Sequence, residues 1–150
     1  MIKWYSDKDL SIFFSEVPRV CIRYVLPSST PDEVKSIKKY PFINKKELKV
    51  QLLDRENCKN YNFTISKGYC YDGATIPKLF WRVIGSKTNN TFLIAALIHD
   101  WCCEHKECVG NDRNFSSKVF KALLLVGGVG KVKANVMFGA VDTFQRFCGW

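Results

Sequence analysis

The chain has 150 residues, of which 47% are hydrophobic and 25% are charged. This composition excludes a disordered or fibrous protein, and the length allows one domain to bury its own core. The longest apolar runs, at 92–98 and 122–126, are far shorter than the roughly 20 residues that a membrane span needs. Segment 1–7 lacks the apolar stretch of a signal peptide, so we expect a single cytoplasmic domain over residues 1–150.

The formal net charge of the chain is +9 at pH 7. Such a charge permits a nucleic-acid partner, yet the basic residues are dispersed and no nucleic-acid-binding motif is present. We therefore favour a solvated lysine surface. The seven cysteines are an odd number without a leader sequence, which predicts free thiols rather than a disulfide framework.

The first third of the chain carries the fewest signals. β-branched and aromatic residues at 20–26 predict a strand. Thr30 before Pro31 predicts the start of a short helix, because threonine caps helices and proline suits the first turn. The Tyr-Pro pair at 40–41 predicts the end of that helix, since a residue before proline avoids the helical region.

The middle of the chain predicts a β-hairpin followed by a turn. Segments 48–53 and 61–65 have strand-like composition and are joined by a short polar connection. The second strand places three apolar side chains on one face: Tyr61, Phe63 and Ile65. Gly68 and Gly73 then bracket a short extended piece at 69–72.

The spacing of apolar residues becomes helical after Pro77. It predicts four helices, one after Pro77 up to Ile84 and three near 91–103, 113–126 and 131–147. A loop at 106–112 and a glycine-rich turn at 127–130 separate the last three helices. The last helix is expected to turn five residues inward: Val132, Val136, Ala140, Val141 and Phe144. Strands first and helices after predict an α+β fold, with a small N-terminal antiparallel sheet followed by a C-terminal bundle of about four helices.

His99 and Asp100 stand together at the end of an apolar helical run. Ionisable groups in such a setting need partners, a metal ion or a chemical role. Asp72 lies in a separate turn, and we expect the fold to bring it near His99 and Asp100. Histidine can act as a general base while the carboxylates orient a group or hold a cation, and the alternative is a purely structural polar cluster.

Two metal ions are candidates for this region. Calcium would use Asp100 and Asp72, because carboxylate oxygens are its preferred ligands. Zinc is the less favoured ion, and it would draw on the ligand types that crowd one stretch of ten residues: His99, Cys102, Cys103, His105 and Cys108. No spaced pair of Cys-x-x-Cys motifs is present, so the zinc signal is weak.

Two motifs in this order carry a resemblance to a known family. Segment 68–77 is Gly-Tyr-Cys-Tyr-Asp-Gly-Ala-Thr-Ile-Pro, and segment 99–103 is His-Asp-Trp-Cys-Cys. The sequence resembles a family of phage-borne and prophage-borne small proteins of unknown function (domain of unknown function 1353), with Arg113, Phe120 and Trp150 as further matches. The resemblance covers roughly residues 48 to 150 and leaves residues 1–47 as a variable N-terminal part.

Two positions depart from the family pattern, since Cys103 replaces a tyrosine and Ser117 replaces an aspartate. The His-Asp pair also looks like the central helix of phospholipases A2. That local similarity implies His99 as the base that activates water and Asp100 as a calcium ligand. It lacks the glycine-rich calcium loop, and a shared local arrangement is not a shared function.

Two functions stay open. The favoured one is a phage-type accessory protein that binds a host or virion protein, either in the host cytoplasm or associated with the virion. Its fold would be built around a buried polar network of four residues: His99, Asp100, Asp72 and Arg113. The alternative is a metal-assisted hydrolase in which the same four residues are catalytic. Three neighbouring residues are candidates for ligand binding: Tyr71, Thr75 and Trp101. Four N-terminal aromatic residues are candidates for the partner surface: Trp4, Tyr5, Phe13 and Phe14.

Overall fold

Two antiparallel sheets form the N-terminal half of the protein in a computed structural model, which describes residues 1–73, 90–148 and 150. The first sheet has the strand order β1-β2-β5-β6, and the second has the order β3-β4-β7. The strands are β1 Ile2–Ser6, β2 Leu10–Phe14, β3 Val20–Ile22, β4 Phe42–Asn44, β5 Leu48–Asp54, β6 Lys59–Ile65 and β7 Cys70–Tyr71. The α+β prediction is confirmed, with two small sheets where one was expected.

The four-stranded sheet buries one face against the helices. In β5 the side chains of Leu48, Val50 and Leu52 are buried, while Lys49 between them is exposed, as the two-residue repeat of a strand requires. The hairpin prediction is confirmed, because β5 pairs with β6 from Leu48 opposite Ile65 onward. Strand β2 lies between β1 and β5, which places the N-terminal residues inside the main sheet.

A short helix, α1 (Pro31–Lys39), connects β3 to β4. The Thr30 hydroxyl accepts a hydrogen bond from the Glu33 backbone N–H, and the Glu33 carboxylate accepts one from the Thr30 backbone N–H. This reciprocal cap satisfies two donors that the first helical turn would otherwise leave open. The predicted start and end of this helix are confirmed, whereas β3 stops at Ile22 and the predicted continuation of the strand to residue 26 is wrong.

Three longer helices form the C-terminal half: α2 Asn90–Glu104, α3 Arg113–Val126 and α4 Lys131–Cys148. Helix α2 is central, since every residue from 92 to 100 is buried. A helix that is apolar on all sides belongs in the interior, and this one lies against α3 and the sheets. One face of α3 carries four buried apolar residues at helical spacing: Phe115, Val119, Phe120 and Leu123.

Short segments connect these helices and bring their ends into contact. A 3₁₀ helix (Lys106–Val109) occupies the predicted loop after α2, and Asp112 caps α3 by accepting from the Phe115 N–H at 2.9 Å. Gly127 ends α3 directly against the start of α2, where a Cβ atom on Gly127 would lie 1.5 Å from the Thr91 methyl carbon. The helix predicted after Pro77 lies outside the described residues.

The inward face predicted for α4 is wrong in its main part. Ala134, Met137 and Val141 are the fully buried residues, whereas Val132 is 77% exposed and Val136 is 48% exposed. The helix carries two apolar stripes, and its packing against α3 selects the one with the smaller side chains. Within the residues that the structure describes, no helix is both long enough and apolar enough to cross a membrane.

Candidate functional site

His99 and Asp100 lie about one turn before the C-terminal end of α2 and are both buried. His99 is 1% exposed and Asp100 is 5% exposed, so the helix carries two ionisable side chains into the core. The apolar run that precedes them explains the burial, because it fixes α2 as the central helix of the fold. Burial of an ionisable side chain is unfavourable unless its contacts compensate for the lost hydration, so the contacts of these two side chains define the site.

His99 is enclosed by residues of its own helix and of α3. Its Nδ1 atom lies 3.7 Å from the Cys103 sulfur, one turn further along α2, and its ring centre lies 5.3 Å from that of Phe120. Its Nε2 atom is buried with no hydrogen-bond partner among the described residues. Burial lowers the pKa of His99 to about 4, although the charge of Asp142 acts in the opposite direction. His99 is therefore a neutral imidazole at pH 7.

Asp100 holds the turn that follows β7. Its Oδ2 atom accepts a hydrogen bond of 2.9 Å from the buried backbone N–H of Gly73. Burial and the charge of Asp100 raise the pKa of the Cys103 thiol to about 12, and Asp72 contributes in the same direction. The turn that contains the half-buried Asp72 therefore lies against Asp100.

Arg113 pairs with a residue that the sequence analysis did not identify. Its Nε atom donates to Asp142 Oδ1 at 3.2 Å, and the Ser117 hydroxyl donates to the same oxygen at 3.2 Å. The sequence analysis placed Arg113 in one network with Asp100 and Asp72, whereas its ion pair among the described residues is with Asp142. Asp142 is the one acidic residue in segment 113–150, and this feature of the sequence could have identified it as a partner for Arg113.

Of the three binding candidates, Tyr71 belongs to the core. It is 1% exposed, and its hydroxyl donates to the backbone oxygen of Leu93 at 2.8 Å. Burial raises the pKa of Tyr71 above its ordinary range. This placement gives Tyr71 a packing role and closes it to a ligand.

Trp101 lies at the edge of the site and is half-buried. Its ring stacks on His105 with 3.8 Å between the centres, and Tyr69 meets it edge-on at 4.9 Å. Thr75, the remaining binding candidate, lies outside the described residues. The aromatic layer around Trp101 covers the end of α2.

The residues proposed for zinc do not come together. Among the described residues, no three His, Cys, Asp or Glu side chains are grouped so that they could hold a metal ion. His105 turns its Nδ1 atom to the Trp101 carbonyl oxygen at 3.1 Å, and Cys102 forms a thiol–thiol hydrogen bond with Cys108 that raises the Cys102 pKa. These contacts replace the predicted zinc cluster.

Calcium does not fit the described residues either. The ion takes six to eight oxygen ligands as a rule. The described part of the site offers the carboxylates of Asp72 and Asp100, and one Asp100 oxygen accepts a backbone hydrogen bond. The described part of the site therefore supplies too few oxygen ligands for a calcium ion.

Two open clefts lined by described residues lie away from His99. One, of about 260 Å³, is formed by the β1–β2 turn, α3 and α4, with Asp9 and Lys121 among its lining residues. The other, of about 220 Å³, is lined mainly by apolar residues, including Trp4 and Leu123. Neither cleft reaches His99 or Asp100.

The four N-terminal aromatic residues proposed for a partner surface differ in their burial. Phe14 is fully buried, and Trp4 packs against it with 5.3 Å between the ring centres. Tyr5 and Phe13 are half-buried. The large exposed apolar residues lie elsewhere, including a consecutive group at 24–26 and several on α4.

Comparison with known proteins gives the family. The family model described as "Protein of unknown function (DUF1353)" matches residues 47–141, and the chain belongs to this family. It is similar to the uncharacterized protein y4jT of Sinorhizobium fredii, with 35% identity over 80 residues, which are 53% of this chain and 23% of the relative. It is also similar to the uncharacterized protein y4iH of the same organism, with 36% identity over 79 residues, which are 53% of this chain and 32% of the relative.

The chain therefore spans only a quarter to a third of the length of these curated relatives. No solved structure matches it.

Proposed function

We propose that the protein is a phage-type accessory protein that acts by binding a host or virion protein, and that its His-Asp cluster stabilises the fold. The observation that carries this proposal is the enclosure of His99, which is 1% exposed between Cys103 and Phe120. Reaction with a substrate requires contact with the reacting group, and a sealed imidazole has none.

The contacts of the neighbouring polar residues support the same function. Asp100 accepts from the Gly73 backbone and thereby ties the turn after β7 to α2. Arg113 is paired with Asp142, which ties the start of α3 to α4. Each polar side chain joins two segments of the fold, which is the role of a structural network.

A hydrolase is the second candidate, because one observation favours it. The low pKa keeps His99 neutral at pH 7, and its Nε2 atom is free of hydrogen bonds among the described residues. A neutral imidazole with an available lone pair is the form that a general base needs. Asp142 lies close enough for its charge to act on His99 and would stabilise the imidazolium formed.

His99→Ala separates the two functions. A structural role predicts that the free energy of unfolding falls by about 2–4 kcal/mol, as it does when other large buried side chains are truncated. It also predicts no His99-dependent turnover of p-nitrophenyl esters or of phosphatidylcholine vesicles. Urea denaturation followed by circular dichroism measures the first quantity, and product release measures the second.

His105→Gln is the matched control, because it removes the other histidine of the chain, near the same end of α2. His99→Gln keeps a polar side chain of similar size and provides a folded comparison for the turnover assay. Turnover by the native protein that is retained in His105→Gln and lost in a folded His99→Gln would refute the structural role and establish the hydrolase.

A further inference from the structure

Helix α4 presents apolar side chains on two faces, whose centres lie about 110° apart around the helix axis. The inner side consists of Ala134, Met137 and Val141, which are fully buried against the rest of the protein. The outer face consists of exposed or half-buried apolar residues: Val132, Val136, Ala140, Phe144 and Phe147. Val132 and Phe147 are 77% and 78% exposed, and both are larger than the alanine that the helix buries. A helix that is apolar on both sides is normally covered on both sides.

The outer face has the dimensions of a helix-binding surface. Val132, Val136 and Ala140 follow one another at four-residue spacing, so they form a continuous stripe. From Val132 to Phe147 the stripe extends about 22 Å along the helix axis. At its middle, Gly139 has no heavy atom within 4 Å of the place where a Cβ would stand. A second helix could approach closely at this notch, because small residues permit short distances between helix axes.

The edges of the outer face are positively charged. Lys131, Lys133 and Arg146 are exposed, and none of them forms an ion pair with another described residue. Asp142, the one acidic residue of the helix, is turned to Arg113 instead. With a net charge of +9 on the whole chain, a second copy would meet this face with repulsion. An acidic surface would meet it with attraction.

The notch at Gly139 favours a polypeptide helix as the occupant, because the outer face is open there to the close approach of a second backbone. We propose that the outer face of α4 binds an acidic amphipathic protein helix, with apolar contacts at Val136 and Phe147 and ion pairs at Lys133 and Arg146. This inference rests on the proposed binding function and specifies its surface and the chemistry of its partner.

Selection from a displayed library of amphipathic helical peptides tests the proposal on the full chain. The library varies the polar positions freely, so that acidic and basic helices compete for the same protein. We expect the selected helices to be enriched in Asp and Glu. Val136→Glu is expected to weaken their binding about tenfold or more, because it places a charge at the centre of the contact. Lys133→Glu is expected to weaken it about tenfold at low salt, with less effect at high salt.

Tyr24→Glu is the matched control, because Tyr24 is 72% exposed and precedes α1, far from α4 in the sequence. It introduces the same charge and should leave peptide binding unchanged. Circular dichroism melts of Val136→Glu and Tyr24→Glu check that both variants fold as the native protein does.

Three results would overturn the proposal. The first is a selection without acidic enrichment, or with binding that Val136→Glu does not alter. The second is Val136-dependent binding to vesicles of phosphatidylcholine and phosphatidylglycerol, which would assign the face to a membrane surface. The third is Val136-dependent dimerisation in analytical ultracentrifugation, which would assign it to a second copy. Failure of the proposed function itself would be seen separately, as His99-dependent turnover in the hydrolysis assay.

Discussion

The buried imidazole of His99 should make the stability of the protein depend on pH. Its pKa is about 4 in the folded protein and close to 6.5 when the chain is unfolded. Between these pH values the unfolded chain binds a proton that the folded protein does not. The free energy of unfolding should therefore fall as the pH decreases from about 6.5 to about 4, by about 3 kcal/mol from this residue.

His99→Gln isolates this contribution, because glutamine does not titrate. We expect the difference in unfolding free energy between the native protein and His99→Gln to change by about 3 kcal/mol between pH 7 and pH 4. Urea denaturation at a series of pH values measures it. The His105→Gln variant keeps His99 and should behave as the native protein does. A difference that stays constant over this range would contradict the burial of a neutral histidine.

The sequence indicated the part of the site that depends on residues close together in the chain. Adjacent ionisable residues at the end of an apolar run identified His99 and Asp100, and the turn at Asp72 indicated the same region. The role of Asp142 depends on the packing of α4 against α3, which brings it to Ser117, 25 residues earlier in the chain. Contacts of that kind require the tertiary structure. The apolar character of the 92–98 run was a sufficient signal for a buried helix.

At the level of the helices, Gly127 sets how closely α2 and α3 can meet. A Cβ atom at Gly127 would lie 1.5 Å from the Thr91 methyl carbon, so Gly127→Ala forces the two helix ends apart. We expect a loss of stability of about 1–3 kcal/mol or more, the usual cost of an overpacked contact. A thermal or urea unfolding curve gives this value.

Gly130→Ala provides the comparison within the same connection. No heavy atom lies within 4 Å of a Cβ at Gly130, so the added methyl group meets open space. This variant should match the native protein or exceed its stability slightly, because alanine restricts the unfolded chain. Equal destabilisation by both substitutions would show that chain flexibility, and not the contact with Thr91, explains the need for glycine at position 127.

Helix α4 shows why spacing alone could not assign every face. Apolar residues recur at helical spacing on both sides of the helix, and the stripe with larger side chains was expected inside. The buried side of α4, which packs against α3, instead consists of Ala134, Met137 and Val141. In α3 and β5 only one stripe is apolar, and that stripe is the buried one. A periodic pattern identifies a helix, and packing decides between two comparable faces.

At the level of the whole molecule, the first 46 residues belong to the core although the family match begins at residue 47. Strand β2 lies inside the main sheet between β1 and β5. Leu10, Ile12, Phe14 and Phe42 are all buried, and Ile12 and Phe14 are fully so. Burial of four such side chains stabilises a protein by about 6–12 kcal/mol, which is comparable to the whole stability of a typical domain.

We therefore expect the fragment 47–150 to lack a stable fold, with no cooperative thermal transition and weak near-ultraviolet circular dichroism. Removal of residues 1–6 alone is the control, because it deletes β1, an edge strand with no fully buried side chain. That shorter deletion should lower the melting midpoint and keep the transition cooperative. A fragment 47–150 that melts cooperatively would show that the matched region is a folding unit by itself, and that β2 is an addition to it. The pairing of Phe14 with Val50 across the two strands argues for the opposite result, because it makes the first strands part of the same sheet as the family region.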